Sequence, residues 1–462
     1  MVKDMTQGSA AKLILIFSLP MLLGNVFQQM YNMVDAIVVG RFVGPNALAA
    51  VGTSFPIIFL LISLVLGLTM GSGVVISQFF GAKKIDKVRR AVSTALSFQL
   101  VFALAMSLIG LFLSRPLLHL LRTPPEIIGD SVAYMQIFFG GLIFMFAYNA
   151  FAGILRSLGD SKTPLYFLMI SSVINIGLDI YFVVALGWGV RGVAWATLIA
   201  QGISSVLCIV FVYKRVPLLR FTRAEWVFDI DIFKTMLKIG IPSSIQQTVA
   251  SVGMMAMQAL VNSFGSVTVA AYTAASRMDS FALMPIMSLG MAVSTFTGQN
   301  IGANRLDRVR SGLWASIGMV VFSCAVVSIF VFTMGSHMIQ VFINAEETEV
   351  IARGVQYMQT VSIFYVIFGI MNVFSGVLRG AGDAMIPMVT TIVALITRVS
   401  VGYWLVTIPS ISYRGIWWAI PAGWVVGTII PTLRYFSGAW KAKAVVRQQM
   451  FAEASPAPSV SD

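Results

Sequence analysis

Asp35 is the first residue of this chain that could carry chemistry, because it is an acid inside an otherwise uncharged run, residues 13–40. That run is long enough to cross a lipid bilayer. A charge at the centre of a spanning helix costs about 2.5–3.5 kcal/mol on insertion scales, so such residues usually mark ion or substrate pathways. Asp179 is a second acid within an apolar run. Carboxylates in this setting could bind and release protons, or bind a cation through their oxygens.

Two uncharged polar residues accompany these acids. Asn175 precedes Asp179 by one helical turn and shares its face, and Thr197 lies about six residues inside the next apolar run. At 1.5 Å per residue, all four side chains reach a similar depth in the outer half of the membrane. We therefore predict one polar level in the N-terminal half of the chain, although spacing leaves open whether the four groups face one another.

A polar stripe follows the first apolar run. Asn25, Gln28, Asn32 and Asp35 are spaced i, i+3, i+7 and i+10, which places them on one helical face. A face with so many amides should line water or other helices, not lipid. We therefore treat Asn25, Gln28, Tyr31 and Asn32 as candidates for lining a substrate cavity. A static amide network between helices is the alternative.

Pro20 and Gly24 lie below this stripe, toward the start of the same run. Proline removes one backbone hydrogen bond and is the commonest cause of a sharp helix kink. The pair predicts a place where the first helix can bend. The alternative is an ordinary fixed proline kink.

The composition predicts an all-α integral membrane protein. The chain has 462 residues, of which 58% are hydrophobic and 11% charged, against roughly 25% charged in average soluble proteins. Neither the two cysteines nor the two histidines form a cluster, so we expect no disulfide framework, metal centre or cofactor. The first run is interpreted as a retained span, not a signal peptide. Twelve runs are long enough to span a membrane: 13–40, 50–79, 91–114, 131–155, 164–187, 192–213, 233–262, 269–299, 311–334, 350–377, 386–408 and 415–437.

The net charge of +13 is explained by topology. When the loops are assigned alternately to the two sides of the membrane, most Lys and Arg residues fall on one side. The positive-inside rule then places both termini in the cytoplasm. We therefore expect no nucleic-acid partner.

An internal repeat divides the chain. Residues 81–90 (GAKKIDKVRR) return as 302–310 (GANRLDRVR), 153–160 (GILRSLGD) as 376–383 (GVLRGAGD), and 191–195 (RGVAW) as 414–418 (RGIWW). Six spans are thus repeated once, which predicts two six-helix bundles related by a pseudo-two-fold axis along the membrane normal. The predicted lobes are residues 1–213 and 233–439, joined by a cytoplasmic linker, 214–232, and followed by a disordered tail, 440–462.

The repeat separates structural from specialised residues, because residues that only hold the fold should recur. The Gly-x-Leu-Arg and Gly-Ala motifs do recur and are interpreted as helix packing and structure at the cytoplasmic end, with gating as the alternative. The acids do not: Met257 stands at the counterpart of Asp35, and Gly402 at that of Asp179. The N-terminal half is therefore predicted to sense the ion.

The C-terminal half offers weaker signals. Met284, Met287 and Met291 lie at i, i+3 and i+7, and flexible thioethers suit polyspecific apolar pockets, so they are further cavity candidates. Methionine is equally common in membrane cores. Asp279 and Arg398 could form an ion pair, or Asp279 could have a structural role at the external end of its span.

At these residues the chain resembles the multidrug and toxic compound extrusion (MATE) family, in its DinF-like branch. The resemblance rests on the Ser-Leu-Pro sequence ending at Pro20, Asp35 with Gly40, the loops 78–82 (QFFGA) and 299–303 (QNIGA), the paired Gly-x-Leu-Arg motifs, and Asn175 with Asp179. It implies a cation-coupling site formed by Asp35, Asn175, Asp179 and Thr197.

The resemblance also bears on the coupling ion. The NorM-like branch binds sodium through acids on the seventh and tenth spans. Here the seventh offers Gln246 and Gln247, and the tenth carries no acid. We therefore expect protons as the coupling ion, with sodium at Asp35, Asn175, Asp179 and Thr197 as the alternative.

The predicted function is antiport of small hydrophobic or cationic drugs against protons by alternating access. Protonation of the Asp35/Asp179 site would bend the first helix near Pro20. We expect a monomer in the bacterial cytoplasmic membrane, and not an enzyme, since no nucleophile–base or metal constellation lies within a span. A flippase for lipid-linked oligosaccharide is an alternative, but it would need more cationic residues in its cleft. A channel fits the one-sided acids poorly.

Overall fold

The fold consists of helices that follow the apolar runs of the sequence. The computed structural model describes residues 2–222 and 225–446. All twelve runs are helical, which confirms the predicted all-α membrane fold. The helices are α1 Ala10–Val38, α2 Pro45–Gly81, α3 Ile85–Leu120, α4 Pro125–Gly140, α5 Leu142–Ser157, α6 Lys162–Ile180, α7 Gly189–Arg215, α8 Ile230–Asn262, α9 Gly265–Gly302, α10 Leu306–Gln340, α11 Thr348–Ser362, α12 Tyr365–Gly380, α13 Met385–Leu405 and α14 Arg414–Phe436.

Nine of the described helices are long and apolar enough to cross a membrane, or eleven if each bent pair is one span. The pair α4 and α5 is bent by 46° and the pair α11 and α12 by 47°, and each pair corresponds to one predicted span. The one remaining predicted span, the seventh, corresponds to α8, a helix of 33 residues. It is long enough to span, but its serines, glutamines and first-turn charges make it less apolar than the others.

The helices divide into two compact units. Unit 1 consists of residues 2–4, Leu19–Phe80 and Lys84–Ile241, and unit 2 of Met5–Ser18, Gly81–Lys83 and residues 242–446. These units differ from the predicted lobes at three places. The start of α1 and the loop residues Gly81–Lys83 belong to unit 2, and the start of α8 belongs to unit 1.

In both α1 and α8, the point where the helix changes from one unit to the other lies next to a proline. Helix α1 passes between units after Ser18, two residues before Pro20, and α8 passes between them at Ile241, directly before Pro242. These prolines stand at matching positions of the repeat. In each half, the first helix therefore has its proline where its packing partners change.

The predicted disordered tail is wrong for its first residues. A 3₁₀ helix, Ala439–Lys443, follows α14, and the Trp440 side chain is buried. Its ring stacks on Tyr435 at a centroid distance of 5.6 Å. Apolar burial of this kind overrides the polar composition around it. The rest of the predicted tail, 447–462, lies outside the described residues.

The repeated Gly-x-Leu-Arg glycines mark close helix crossings, as their recurrence predicted. A Cβ on Gly153 of α5 would lie 2.3 Å from the Thr69 side chain of α2. A Cβ on Gly376 of α12 would lie 2.5 Å from the backbone oxygen of Gly290 in α9. The motif lets the same helix pair approach closely in each half of the chain.

Replacing Gly376 with Ala is expected to destabilise the protein. The added methyl group meets a backbone carbonyl, which cannot turn away as a side chain can, so overpacking should lower the free energy of unfolding by about 1–3 kcal/mol. Gly318→Ala is the matched control, because Gly318 lies inside α10 with nothing within 4 Å of the added Cβ. This control should be stabilising by up to about 1 kcal/mol. Equal melting temperatures of the two variants in detergent would contradict the crossing.

The end of the predicted linker is docked on α3. The Trp226 indole donates to the Ser97 hydroxyl at 2.9 Å, and the Asp229 backbone N–H donates to the Thr94 hydroxyl at 3.0 Å. Glu225 accepts from the backbone N–H and hydroxyl of Thr222 and pairs with Arg89. These interactions hold the pKa of the Glu225 carboxyl below its ordinary value of 4.5.

Acidification should therefore loosen this docking. A carboxyl whose pKa is lowered in the docked state favours docking while it is ionised, and that contribution is lost as the pH falls through the lowered pKa. We expect proteolysis of the linker to accelerate at low pH. Glu225→Gln should be cleaved faster at neutral pH and should lose most of this pH dependence. Identical cleavage profiles for the variant and the parent would rule out the contribution.

Candidate functional site

Two π-helical segments position Asp35 and Asp179, the two acids of the predicted coupling site. α1 continues into the π-helical segment Val39–Val43, four residues after Asp35, and α6 continues into Tyr181–Ala185, two residues after Asp179. The two segments pack against each other and against α7. π-helical turns are rare and occur frequently at functional sites. Their packing brings the ends of α1 and α6 together, and with them the two acids.

Asn175 lies between the carboxyl groups. Its amide nitrogen, in the orientation that satisfies its neighbours, donates to Asp35 Oδ1 at 3.0 Å and to Asp179 Oδ2 at 3.2 Å. Its oxygen accepts from the backbone N–H of Thr197 at 3.3 Å. Amide orientation is assigned from such a network of donors and acceptors. The structure thus brings together all four residues predicted for the cation-coupling site.

The acids are also close to each other. The Asp35 and Asp179 side chains lie within hydrogen-bonding reach, and two carboxyl groups can share a hydrogen bond only when one of them holds a proton. Asp179 is fully buried, and its Oδ1 accepts no hydrogen bond from the described residues. The arrangement suits a pair of acids that binds one proton between them.

Two tyrosines complete this site. The Tyr31 hydroxyl interacts with Asp35 and lies 3.4 Å from the Thr197 hydroxyl. Tyr134 of α4 lies near both acids and, with Thr197, lines a cleft that also includes Gln201. Sequence reasoning did not single out Tyr134. Its recurrence as Tyr357 in the repeat was a signal, but recurrence was interpreted as structural.

An apolar cluster packs beside the acids where the π-helical segments meet. It contains Val38 from the end of α1 and Val39 and Val183 from the two π-helical segments, and Tyr134 packs against it. Such packing keeps water from that side of the carboxyl groups and raises the electrostatic cost of an unpaired charge there.

The predicted cavity residues of α1 remain accessible. Asn25, Gln28 and Asn32 are exposed, and Tyr31 is half-buried. The Gln28 amide donates to Asn32 Oδ1 at 3.3 Å, so the predicted stripe does share one helical face. Whether it contacts a substrate stays a prediction.

The two predicted bending residues lie inside a continuous helix. Pro20 is buried within α1. Gly24 is also buried, and a Cβ there would meet Leu165 and Leu168 of α6 at ordinary contact distances.

The methionine candidates differ in exposure. Met287 is exposed and Met291 half-buried, whereas Met284 is buried in unit 2. Met284 therefore offers no surface to a ligand in this conformation. A cavity role for Met287 and Met291 stays a prediction.

Gln246, one of the two glutamines of the seventh predicted span, hydrogen bonds to side chains of unit 2. Gln246 donates to the Thr391 hydroxyl at 3.1 Å and accepts from Arg379 at 3.0 Å. Arg379 belongs to the second Gly-x-Leu-Arg motif. Gln246 therefore takes part in helix packing within unit 2.

Comparison with known proteins identifies the family of the chain. The family model MatE matches residues 20–181 and 242–404, one segment in each half of the repeat. This chain belongs to the MATE family. It is 34% identical over 445 residues to the probable multidrug resistance protein YoeA of Bacillus subtilis (strain 168), covering 94% of each chain.

Solved MATE structures share the fold. A crystal structure of MATE in the bent conformation matches with a TM-score of 0.88 and 26% identity, over 95% of this chain and 97% of that one. A crystal structure of MATE in the straight conformation matches equally well, with a TM-score of 0.88 and 25% identity over 95% and 98% of the two chains. The twelve-helix plan of this MATE protein is therefore that of its family, whereas its place in the DinF-like branch stays a prediction.

Proposed function

We propose that this MATE protein exports amphiphilic, cationic drugs in exchange for protons. Its relative YoeA is named as a probable multidrug resistance protein, which supports drugs as the exported class. Acids placed within membrane spans are explained by transport, the activity of this family, and not by catalysis. The observation that carries the proposal is the convergence of Asp35, Asn175 and Asp179 on one another.

Proton binding accounts for that geometry better than sodium binding does. A sodium ion would need several oxygen ligands at the centre of the site. With its nitrogen directed at both carboxyl groups, Asn175 turns its oxygen toward the Thr197 backbone N–H, and sodium binding between the acids would require this amide to turn over. A proton needs only the two carboxyl oxygens.

Bending of α1 is the proposed link between proton and drug. Asp35 and Pro20 lie on one continuous helix, fifteen residues or roughly 22 Å apart along its axis. A change in the hydrogen bonds at Asp35 alters the packing of the upper part of α1, and Pro20 is where the backbone has the least resistance to bending. Solved MATE structures in a bent and in a straight conformation support a bending transition in this family. In the proposed cycle, protonation bends α1, narrows the cavity beside its polar stripe and expels the drug.

The remaining expectations belong to the same proposal. We place the protein in a bacterial cytoplasmic membrane, with both termini in the cytoplasm, as a monomer of the DinF-like branch. A flippase remains less consistent, because the site that the structure assembles is acidic and carries no cation for a pyrophosphate.

Reconstitution tests the choice of ion. Proteoliposomes loaded with a fluorescent cationic drug would be given a pH gradient without sodium, or a sodium gradient without a pH difference. We expect drug movement with the pH gradient and little with sodium. Movement driven by sodium alone would exclude proton coupling, and movement driven by neither gradient would exclude antiport with both ions.

A further inference from the structure

A second buried carboxylate, Asp279, lies in unit 2. It is the fifteenth of the 38 residues of α9, roughly 21 Å from the start of the helix, so it does not lie at the helix end. Its Oδ2 accepts from the Tyr357 hydroxyl of α11 at 2.6 Å, and its Oδ1 accepts from the Tyr365 hydroxyl of α12. All three side chains are buried. Each carboxyl oxygen therefore has one tyrosine donor.

The ion pair with Arg398, one of the two sequence alternatives for Asp279, is not formed. Arg398 interacts with Asp279 electrostatically, but its guanidinium lies 3.5 Å from the Tyr272 hydroxyl instead, and its buried Nε has no partner among the described residues. Tyr357, which contacts the acid, and Tyr272, which lies near the base, pack against each other with ring centroids 5.6 Å apart. The acid and the base are close enough to influence each other, but they do not contact each other directly.

Asp383 illustrates the contrast with a structural acid. It is also buried in unit 2, but Arg434 Nε contacts its Oδ2 at 2.8 Å. A buried carboxylate in direct contact with a guanidinium forms a charge-assisted pair. Asp279 has hydroxyl donors in place of that contact.

The repeat places the Asp279 cluster where unit 1 has its coupling site. Tyr357 is the counterpart of Tyr134, and Arg398 is the counterpart of Asn175, both at a displacement of 223 residues. In unit 1 these positions surround Asp35 and Asp179; in unit 2 they surround an acid supplied by a different helix, α9. The same location in each half thus holds a buried carboxyl group.

We propose that Asp279 is a second proton-binding site, which gains and loses its proton as the transporter works. The proton adds to a carboxylate oxygen from water and returns to water, and no other bond changes. Tyrosine hydroxyls can donate to the ionised group and accept from the neutral one, so Tyr357 and Tyr365 position both forms. A proton also needs no cavity, unlike a drug or a metal ion.

The surroundings of Asp279 leave its charge adjustable. Among the described residues, the ionisable groups that act on it are Tyr357 from α11, Tyr365 from α12 and Arg398 from α13. α10 contributes the buried Cys324 thiol, which acts on Tyr365. When Asp279 is ionised, it balances the charge of Arg398; when it is neutral, that positive charge is uncompensated. Protonation therefore changes the electrostatics of the whole cluster.

Infrared difference spectroscopy tests this site independently of the proposed coupling pair. The full chain carrying Asp35→Asn and Asp179→Asn would be reconstituted in lipid and titrated from alkaline to acidic pH. We expect the carbonyl band of a protonated carboxylic acid to appear on acidification and to be lost when Asp279→Asn is added. Absence of any band that depends on Asp279 would overturn the proposal, and so would a band present at every pH. If Asp35 proved unnecessary for transport, the infrared result for Asp279 would still stand.

Tyr365→Phe provides a second test that keeps the acid. It removes one hydrogen-bond donor from Asp279, and a carbonyl band depends on such bonds, so the frequency should shift. An unshifted band would show that it does not come from Asp279. In an otherwise unchanged protein, Asp279→Asn should slow efflux driven by a pH gradient by ~5-fold or more, a typical scale for coupling between sites, while drug binding at fixed pH stays within ~2-fold. Unchanged efflux would contradict a role in transport.

Discussion

Asp35→Asn is expected to reduce drug efflux driven by a pH gradient by ~10-fold or more, within the usual range of coupling between two sites. Asparagine has nearly the same shape and can still hydrogen bond to Asn175, so the fold should be retained. It cannot bind and release a proton, and it leaves Asp179 without a second acid to share one. Initial rates in proteoliposomes at several pH differences would measure the effect.

The control for Asp35→Asn is the same substitution at an exposed acid. Asp130 of α4 is exposed, and Asp130→Asn should transport at the rate of the parent. Asp179→Asn should resemble Asp35→Asn, because either acid alone cannot form the shared pair. Equal pH-driven efflux by Asp35→Asn and the parent protein would exclude the proposed coupling site.

Pro20→Ala is expected to have the second largest effect. Alanine restores a backbone N–H and lets α1 continue without the weak point that proline creates, so a straight helix should become more favourable than a bent one. Efflux should fall by ~5-fold or more if bending carries the coupling. Drug binding should be nearly unchanged, because Pro20 is buried away from the exposed polar stripe.

Pro116→Ala is the matched control for Pro20→Ala. Pro116 also lies inside a helix, α3, but is exposed. Removing it changes helix propensity in the same way and should leave transport within ~2-fold of the parent, as expected for a surface site. Similar losses in both variants would indicate a general effect of helix stiffness and would argue against a hinge in α1.

Much of the proposed coupling site could be predicted from the sequence, because the depth of its residues in the membrane follows from their positions along the spans. A charge in an apolar run is costly wherever the run packs, and helical rise gives depth directly, so Asp35 and Asp179 could be placed at one level. Their contact could not be predicted in this way. It depends on the packing of two π-helical segments, and no spacing rule indicates where α-helical hydrogen bonds give way to them.

The partners of Asp279 were hidden for a different reason. Tyr357 and Tyr365 lie 78 and 86 residues away in sequence, and tyrosines in apolar runs look like ordinary core residues. Arg398 was the more obvious partner because opposite charges attract. Hydroxyl donors compete well for a buried carboxylate when the geometry favours them, and here each carboxyl oxygen has one.

The first residues of α1 belong to unit 2 and the first residues of α8 belong to unit 1. This assignment has a consequence for how the protein is synthesised and assembled. Unit 2 includes Met5–Ser18, which precede the other helices of the N-terminal repeat, and unit 1 includes the start of α8, which follows the whole N-terminal repeat. Neither unit is complete until chain from the other half has been synthesised. Two separately expressed halves divided at the linker should therefore each lack part of their own packing, and should assemble properly only when produced together in one cell.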